Sequence, residues 1–274
     1  MKAHNLLLCA LSFSLLWAAP LSAQKKDPRK VKPNPQVKVE LKKLQKHVMK
    51  RGMEDAAAVE VIRKLVSLTA EGHRTDQAKT AAFLGKILLQ ARRRPGDTVL
   101  FQAAADALSR LGPHGANYLH KAIEAKRFDD KEMLTFRCNM IRALGRTGET
   151  AMIKPLLDLM QRSPHHKVNA AAVEALGEYE KAPLKDRKRI VEKVVKFFSD
   201  VNNNANQPTQ NDLVQETYRR KRNLITGPCN NTLKKLTPKS FTKPLEWHKW
   251  YQNNKHKKWG EKGKKKEGRR GGRR

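Results

Sequence analysis

AADALSRLG (residues 104–112), NMIRALGRTG (139–148) and AAVEALGEYE (171–180) share one order of small, apolar and polar side chains running into a glycine. Aligned on Gly112, Gly145 and Gly177, they recur at spacings of 33 and 32 residues, the period of stacked two-helix units. One position before each glycine stand Leu111, Leu144 and Leu176; four before stand Leu108, Ile141 and Val173; five before stand Ala107, Met140 and Ala172. These offsets share one face of a helix with 3.6 residues per turn, so each unit offers the same apolar stripe for burial. Seven before the glycine stand Ala105, Cys138 and Ala170, all small, as needed where one helix packs closely on its neighbour. Cys138 is therefore expected as a buried packing residue. Each glycine is expected to end its helix in the left-handed conformation that only glycine adopts freely.

Working outward, a second, shorter helix follows each glycine: Asn117 to Ala125, Met152 to Arg162 and Leu184 to Ser199. Leu119, Ile123, Leu156, Leu157, Leu159, Ile190, Val194 and Phe197 are the residues expected to face inward. Upstream, the helical period is present in 37–50, 54–69, 75–92 and 97–111, with Val61, Ile62, Leu65 and Val66 on one face of the second segment. Gly85 marks a degenerate earlier unit. The predicted fold class is all-α: an α-solenoid of stacked antiparallel helix pairs over residues 37–200. Residues 201–212, VNNNANQPTQND, are polar and without period, and are expected as a linker. A C-terminal helical capping segment is expected over 213–254, followed by a disordered basic tail over 255–274.

The three glycine-ended stretches resemble the inner-helix signature of HEAT repeats, in the short bacterial variety also seen in phycobilisome lyases. The resemblance covers roughly residues 75–200. It implies a solenoid and says little of activity, since HEAT-like proteins include scaffolds, chromophore lyases and DNA glycosylases. Residues 233–255, LKKLTPKSFTKPLEWHKWYQNNK, are similar to a terminal segment of secreted bacterial HEAT-repeat proteins, in which a Leu-Thr step precedes a helix with a Trp and aromatic pair. Here those residues are Leu236, Thr237, Trp247, Trp250 and Tyr251, and Pro238 replaces the glycine that usually follows the threonine.

The N-terminus reads as an export signal, residues 1–23. Lys2 and His4 open it, an uncharged, mostly apolar run spans Leu6 to Ala19, and small Ser22 and Ala23 suit cleavage before Gln24. The run is short of the roughly 20 residues that cross a bilayer. Residues 24–36, rich in lysine and proline, form an expected extended spacer. Cys9 leaves with the signal, so a mature chain keeps Cys138 and Cys229, too few to staple a small scaffold; the core must come from packing. The expected location is secreted or periplasmic.

Lysine and arginine number 58 against 26 acidic residues, a net charge of +32 that calls for an anionic partner. The tail concentrates this charge: Lys255, Lys257, Lys258, Lys262, Lys264, Lys265, Lys266, Arg269, Arg270, Arg273 and Arg274 face only Glu261 and Glu267 among five glycines. Such a segment forms no core and attracts polyanions by counterion release. Trp247, Trp250 and Tyr251 share a helix face, where closing the end of the stacked core competes with stacking on a ligand; closing the core is the stronger explanation. Trp259, among lysines, is expected to be exposed. Asp129 and Asp130 suit a helix start. Asn230-Asn231-Thr232 is a glycosylation acceptor only where the source uses one.

No catalytic constellation, cofactor motif or metal-ligand spacing is found: the histidines are scattered, with no HExxH, paired Cys-x-x-Cys, phosphate loop or nucleophile elbow. The expectation is an exported HEAT-repeat module that engages a protein partner through its groove. Arg137, Arg142 and Arg146 are groove candidates that surface solvation explains equally, and the tail is expected to hold an anionic polymer or envelope surface. Nucleic-acid binding is the alternative, permitted by the charge and opposed by the signal. A HEAT-like lyase or glycosylase is a third, resting on fold analogy alone.

Overall fold

The computed structural model of the protein describes residues 32–91, 98–208 and 212–259. The expected signal and the first part of the spacer lie outside these residues, as does the tail beyond Trp259.

Among the described residues eleven α-helices follow one another: α1 Pro35–Met49, α2 Asp55–Thr69, α3 Arg74–Gln90, α4 Val99–Leu108, α5 Gly112–Ile123, α6 Leu134–Arg146, α7 Ile153–Arg162, α8 His166–Leu176, α9 Leu184–Asn206, α10 Asp212–Leu236 and α11 Pro244–Asn254. Short 3₁₀ turns precede α6, α7 and α9, and no strand occurs among the described residues. The fold is an all-α solenoid of two layers. Helices α2, α4, α6, α8 and α10 pack in sequence as one layer; α1, α3 and α5, then α7, α9 and α11, cover it from the other side. No described helix is long and apolar enough to cross a membrane.

The repeated stripe builds the core. Leu108, Ile141, Val173, Leu111, Leu144 and Leu176 are all at most 1% exposed, and Ala107, Met140 and Ala172 are buried beside them. Each such leucine-sized side chain contributes about 1.5–3 kcal/mol by leaving water. The small positions Ala105, Cys138 and Ala170 are also buried, and Cys138 and Cys229 are free thiols. Of the residues expected to face inward, Leu159 and Val61 are only partly covered. A cluster unrecognised in the sequence joins α4 to α6: Phe101, Phe128 and Phe136 pack with ring centroids 5.3–5.9 Å apart, under the Arg127 guanidinium.

The glycines do two different jobs. Gly112 (φ +53°) makes the left-handed turn between α4 and α5 as expected. Gly145 and Gly177 do not; the left-handed turn after α6 falls to Gly148 (φ +68°). A Cβ on Gly145 would lie 2.5 Å from the carbonyl oxygen of Ala175, and one on Gly177 would lie 2.9 Å from Thr232 Oγ1. These two glycines recur because neighbouring helices touch their backbone.

Three further expectations are corrected. Residues 201–206 belong to α9, not to a linker: Val201 and Ala205 are buried one turn apart and extend the stripe of Val194, Phe197 and Phe198, so packing overrides the poor helix propensity of four asparagines. Asp129 and Asp130 start no helix; Met133 precedes α6, and Asp129 instead pairs with Arg137. Trp259 is 6% exposed rather than open to solvent, because its ring packs on Trp250 at 5.2 Å and its Nε1 donates to the Asn254 carbonyl.

The C-terminal helices close onto the repeats. Thr232 Oγ1 of α10 donates to the Val173 carbonyl of α8 (2.7 Å), and Thr237 Oγ1 donates to the Leu233 carbonyl at the end of α10. Trp247, fully buried, donates from Nε1 to Asn230 Oδ1 at 2.9 Å and meets Phe241 edge to face. Asn230 is thereby occupied, and Thr232 is buried, so the glycosylation triplet is helix packing.

Candidate polyanion-binding surface

The three arginines of α6 are all spoken for. Arg142 Nε donates to Glu174 Oε2 on α8 at 2.5 Å, and Arg146 Nη2 donates to Asp106 Oδ1 on α4 at 2.6 Å. A ladder joins them: Arg142 Nη1 donates to Asn139 Oδ1, Asn139 Nδ2 to Gln102 Oε1, and Gln102 Nε2 to Asp106 Oδ2, at 3.0–3.2 Å. Arg142 and Arg146 therefore share one charge-balanced network across α4, α6 and α8. Arg137 stands apart from it. It pairs with Asp129 beside a depression between α5 and α7 that also holds Lys154, Arg162 and Asp158.

Next to the ladder, α2 and α4 flank a groove of 840 Å³. Val59, Val66, Val99 and Ala103 supply its apolar floor, with Arg63 and Arg110 at the rim. Val99 is exposed, so this groove offers apolar area beside a neutral polar network.

The excess charge lies elsewhere. Residues 184–259 hold 18 lysines and arginines against 6 acidic residues, while 32–183 hold 27 against 17. The C-terminal third thus carries about twice the net positive charge per residue, before the tail is counted. Its centre is a groove of 940 Å³ between α9 and α11. Lys185, Arg189 and Lys196 line it from α9, and His248, Lys255 and His256 from α11 and the residues after it. On α9 these cations sit at helical spacing on the side opposite Ile190, Val194 and Phe197, which enter the core. From Lys185 to Lys196 they span about 16 Å at about 1.5 Å per residue. Their side chains make no ion pair among the described residues. Glu192 and Asp200 are the carboxylates in the groove; Glu192 Oε2 accepts from the Tyr251 hydroxyl at 3.3 Å. Burial and that neighbouring carboxylate push the Tyr251 hydroxyl up to about 12.

Lys188 plays a different part. Its ammonium donates to the carbonyls of Lys255 (2.8 Å) and Lys257 (2.7 Å) and lies over the Trp259 ring. A cation on the free carbonyls after a helix complements the negative end of the helix dipole. It also ties the chain to α9 where the basic tail begins. Of the tail residues, Lys255 lines the groove and Lys257 and Lys258 are exposed beside it. Lys262, Lys264, Lys265, Lys266, Arg269, Arg270, Arg273 and Arg274 lie outside the described residues.

Sequence reasoning missed the α9 cations because they look like any solvated helix face. What distinguishes them is that α11 returns to make a wall opposite, which a local pattern does not show. Among the described residues, no three His, Cys, Asp or Glu side chains converge as a metal site requires. No family model matches the sequence, and comparison with curated proteins finds no relative.

Proposed function

We propose that the chain is an exported helical-repeat module of the HEAT type that engages a protein partner through its repeat face and attaches to an anionic polymer through its C-terminal end. One observation carries this reading: the three arginines of α6, Arg137, Arg142 and Arg146, each pair with an acid, whereas among the described residues Lys185, Arg189, Lys196 and Lys255 of the α9–α11 groove, where positive charge is denser, do not. Paired arginines beside the 840 Å³ groove present a mixed polar and apolar surface, the composition of a protein interface rim and core. Unpaired cations beside a tail of net +9 over 20 residues favour a polyanion. The apolar run at residues 6–19 supports export and directs the polymer class towards envelope or extracellular molecules.

The test has two parts. Cells expressing the full chain are fractionated and the mature N-terminus is read; a new terminus near Gln24 outside the cytoplasm is expected, and Met1 retained in soluble cytoplasm would overturn the export reading. The purified chain is then passed over an immobilised anionic polymer at rising salt. Retention at low salt that is lost as salt rises is expected, and free passage at low salt would overturn polymer attachment.

A further inference from the structure

The groove between α9 and α11 holds more than attraction of charge requires. Ser199, Asn203 and Gln252 line it beside the cations, and their side chains take no hydrogen-bond partner from the described protein. Neutral donors and acceptors interleaved with lysines suit a polymer whose charges are separated by hydroxyl groups. Glu192 and Asp200 point the same way. A carboxylate accepts hydrogen bonds from hydroxyls, which an acidic saccharide carries on every unit and a DNA strand does not.

The aromatic residues narrow the ligand further. Single-stranded nucleic acid is held by stacking its bases on aromatic faces. Here Trp247, Tyr251 and Trp259 are buried, and Trp250 lies between the rings of Trp247 and Trp259. Among the described residues, no exposed Phe, Tyr or Trp lines the groove. The cations of α9 form one row about 16 Å long, the outline of a single extended chain.

We infer that this groove binds a single chain of an acidic polysaccharide, its carboxylate or sulfate groups on Lys185, Arg189, Lys196 and Lys255 and its hydroxyls on Asn203, Gln252 and Ser199. The inference deepens the proposed attachment to an anionic polymer and rests on it. The tail supplies charge of no particular pattern; the groove supplies selection. Asn203 and Gln252 are exposed, so replacing them with alanine leaves the core untouched.

The full chain is titrated at fixed low salt with three labelled probes: an oligogalacturonate, an oligomer of dextran sulfate and an oligodeoxythymidylate. The double variant N203A/Q252A is expected to bind the saccharide probes about tenfold more weakly, the loss of two hydrogen bonds of about 0.7 kcal/mol each, and to bind the nucleotide probe unchanged. R189Q/K196Q is expected to weaken all three. Whichever saccharide the unaltered chain binds more tightly identifies carboxylate or sulfate as the preferred group. Equal affinity of N203A/Q252A and the parent for both saccharides overturns the inference, as does a nucleotide probe that binds as tightly as either saccharide. A chain with Lys262, Lys264, Lys265, Lys266, Arg269, Arg270, Arg273 and Arg274 changed to glutamine separates the two levels. If that change alone abolishes binding while groove variants are silent, the groove inference fails and attachment by the tail stands. If the unaltered chain binds none of the probes, polymer attachment itself fails.

Discussion

At the scale of single residues, glycine is used for contact as much as for conformation. Gly145 sits within α6 with its Cα facing the backbone of Ala175, where a Cβ would meet Ala175 Cα at 2.6 Å. Backbone cannot move aside as a flexible side chain can, so G145A must push α6 and α8 apart. A destabilisation of about 1–3 kcal/mol is expected, read as a lower denaturant midpoint, with helix content retained. An unchanged midpoint would show that the two helices have slack. Buried groups at this scale also set chemistry: burial pushes the Cys138 and Cys229 thiols up, so both stay protonated where a reactive thiolate would be needed.

At the scale of elements, a polar contact between α9 and α11 joins the Tyr251 hydroxyl to Glu192. This hydroxyl is raised to about 12 in the folded protein from 10.0. The folded state therefore holds this proton more tightly than the unfolded one. The stability it contributes is fully present below pH 10 and is lost as pH rises towards 12. Y251F is expected to flatten the decline in stability across that interval, measured by denaturant unfolding at successive pH values; an identical decline in both proteins would show that the Tyr251 proton does not contribute to it.

The elements themselves are largely legible in the chain. Leu108, Ile141 and Val173 declare their face because the same offset recurs three times, and repetition separates a true stripe from a chance one. The C-terminal part of α9 is less legible, since Asn202, Asn203 and Asn204 have weak helix propensity and only the tertiary burial of Val201 and Ala205 keeps them helical. Trp259 shows the same limit from the other direction. Its neighbours in sequence are lysines, while its neighbours in space are Trp250 and Lys188, the latter 71 positions away. A site made by α11 returning onto α9 is non-local and leaves only half its outline in either helix.

At the scale of the whole molecule, the solenoid separates two electrostatic regimes along one axis. The middle of the repeat layer binds its own charges: the ladder from Gln102 to Glu174 consumes donors and acceptors in pairs, and exposed pairs of this kind add little to stability, about 0–1 kcal/mol each. Their effect is to neutralise the face. The groove between α9 and α11 leaves Lys185, Arg189, Lys196 and Lys255 without an acidic partner among the described residues, at a cost in self-repulsion that a bound polyanion would relieve.

The measurement that bears on this most directly is the salt dependence of binding to one anionic polymer, compared between R142Q/R146Q and R189Q/K196Q. Both variants lose two positive charges, so net charge alone treats them alike. Only cations that contact the polymer release counterions from it, and each one lost makes the plot of log affinity against log salt shallower. A shallower slope and weaker binding are expected for R189Q/K196Q, and for R142Q/R146Q a slope parallel to that of the unaltered protein. Equal slopes for the two variants would contradict this, and would mean that the chain attracts polyanions through its total charge and not through a surface the fold sets apart.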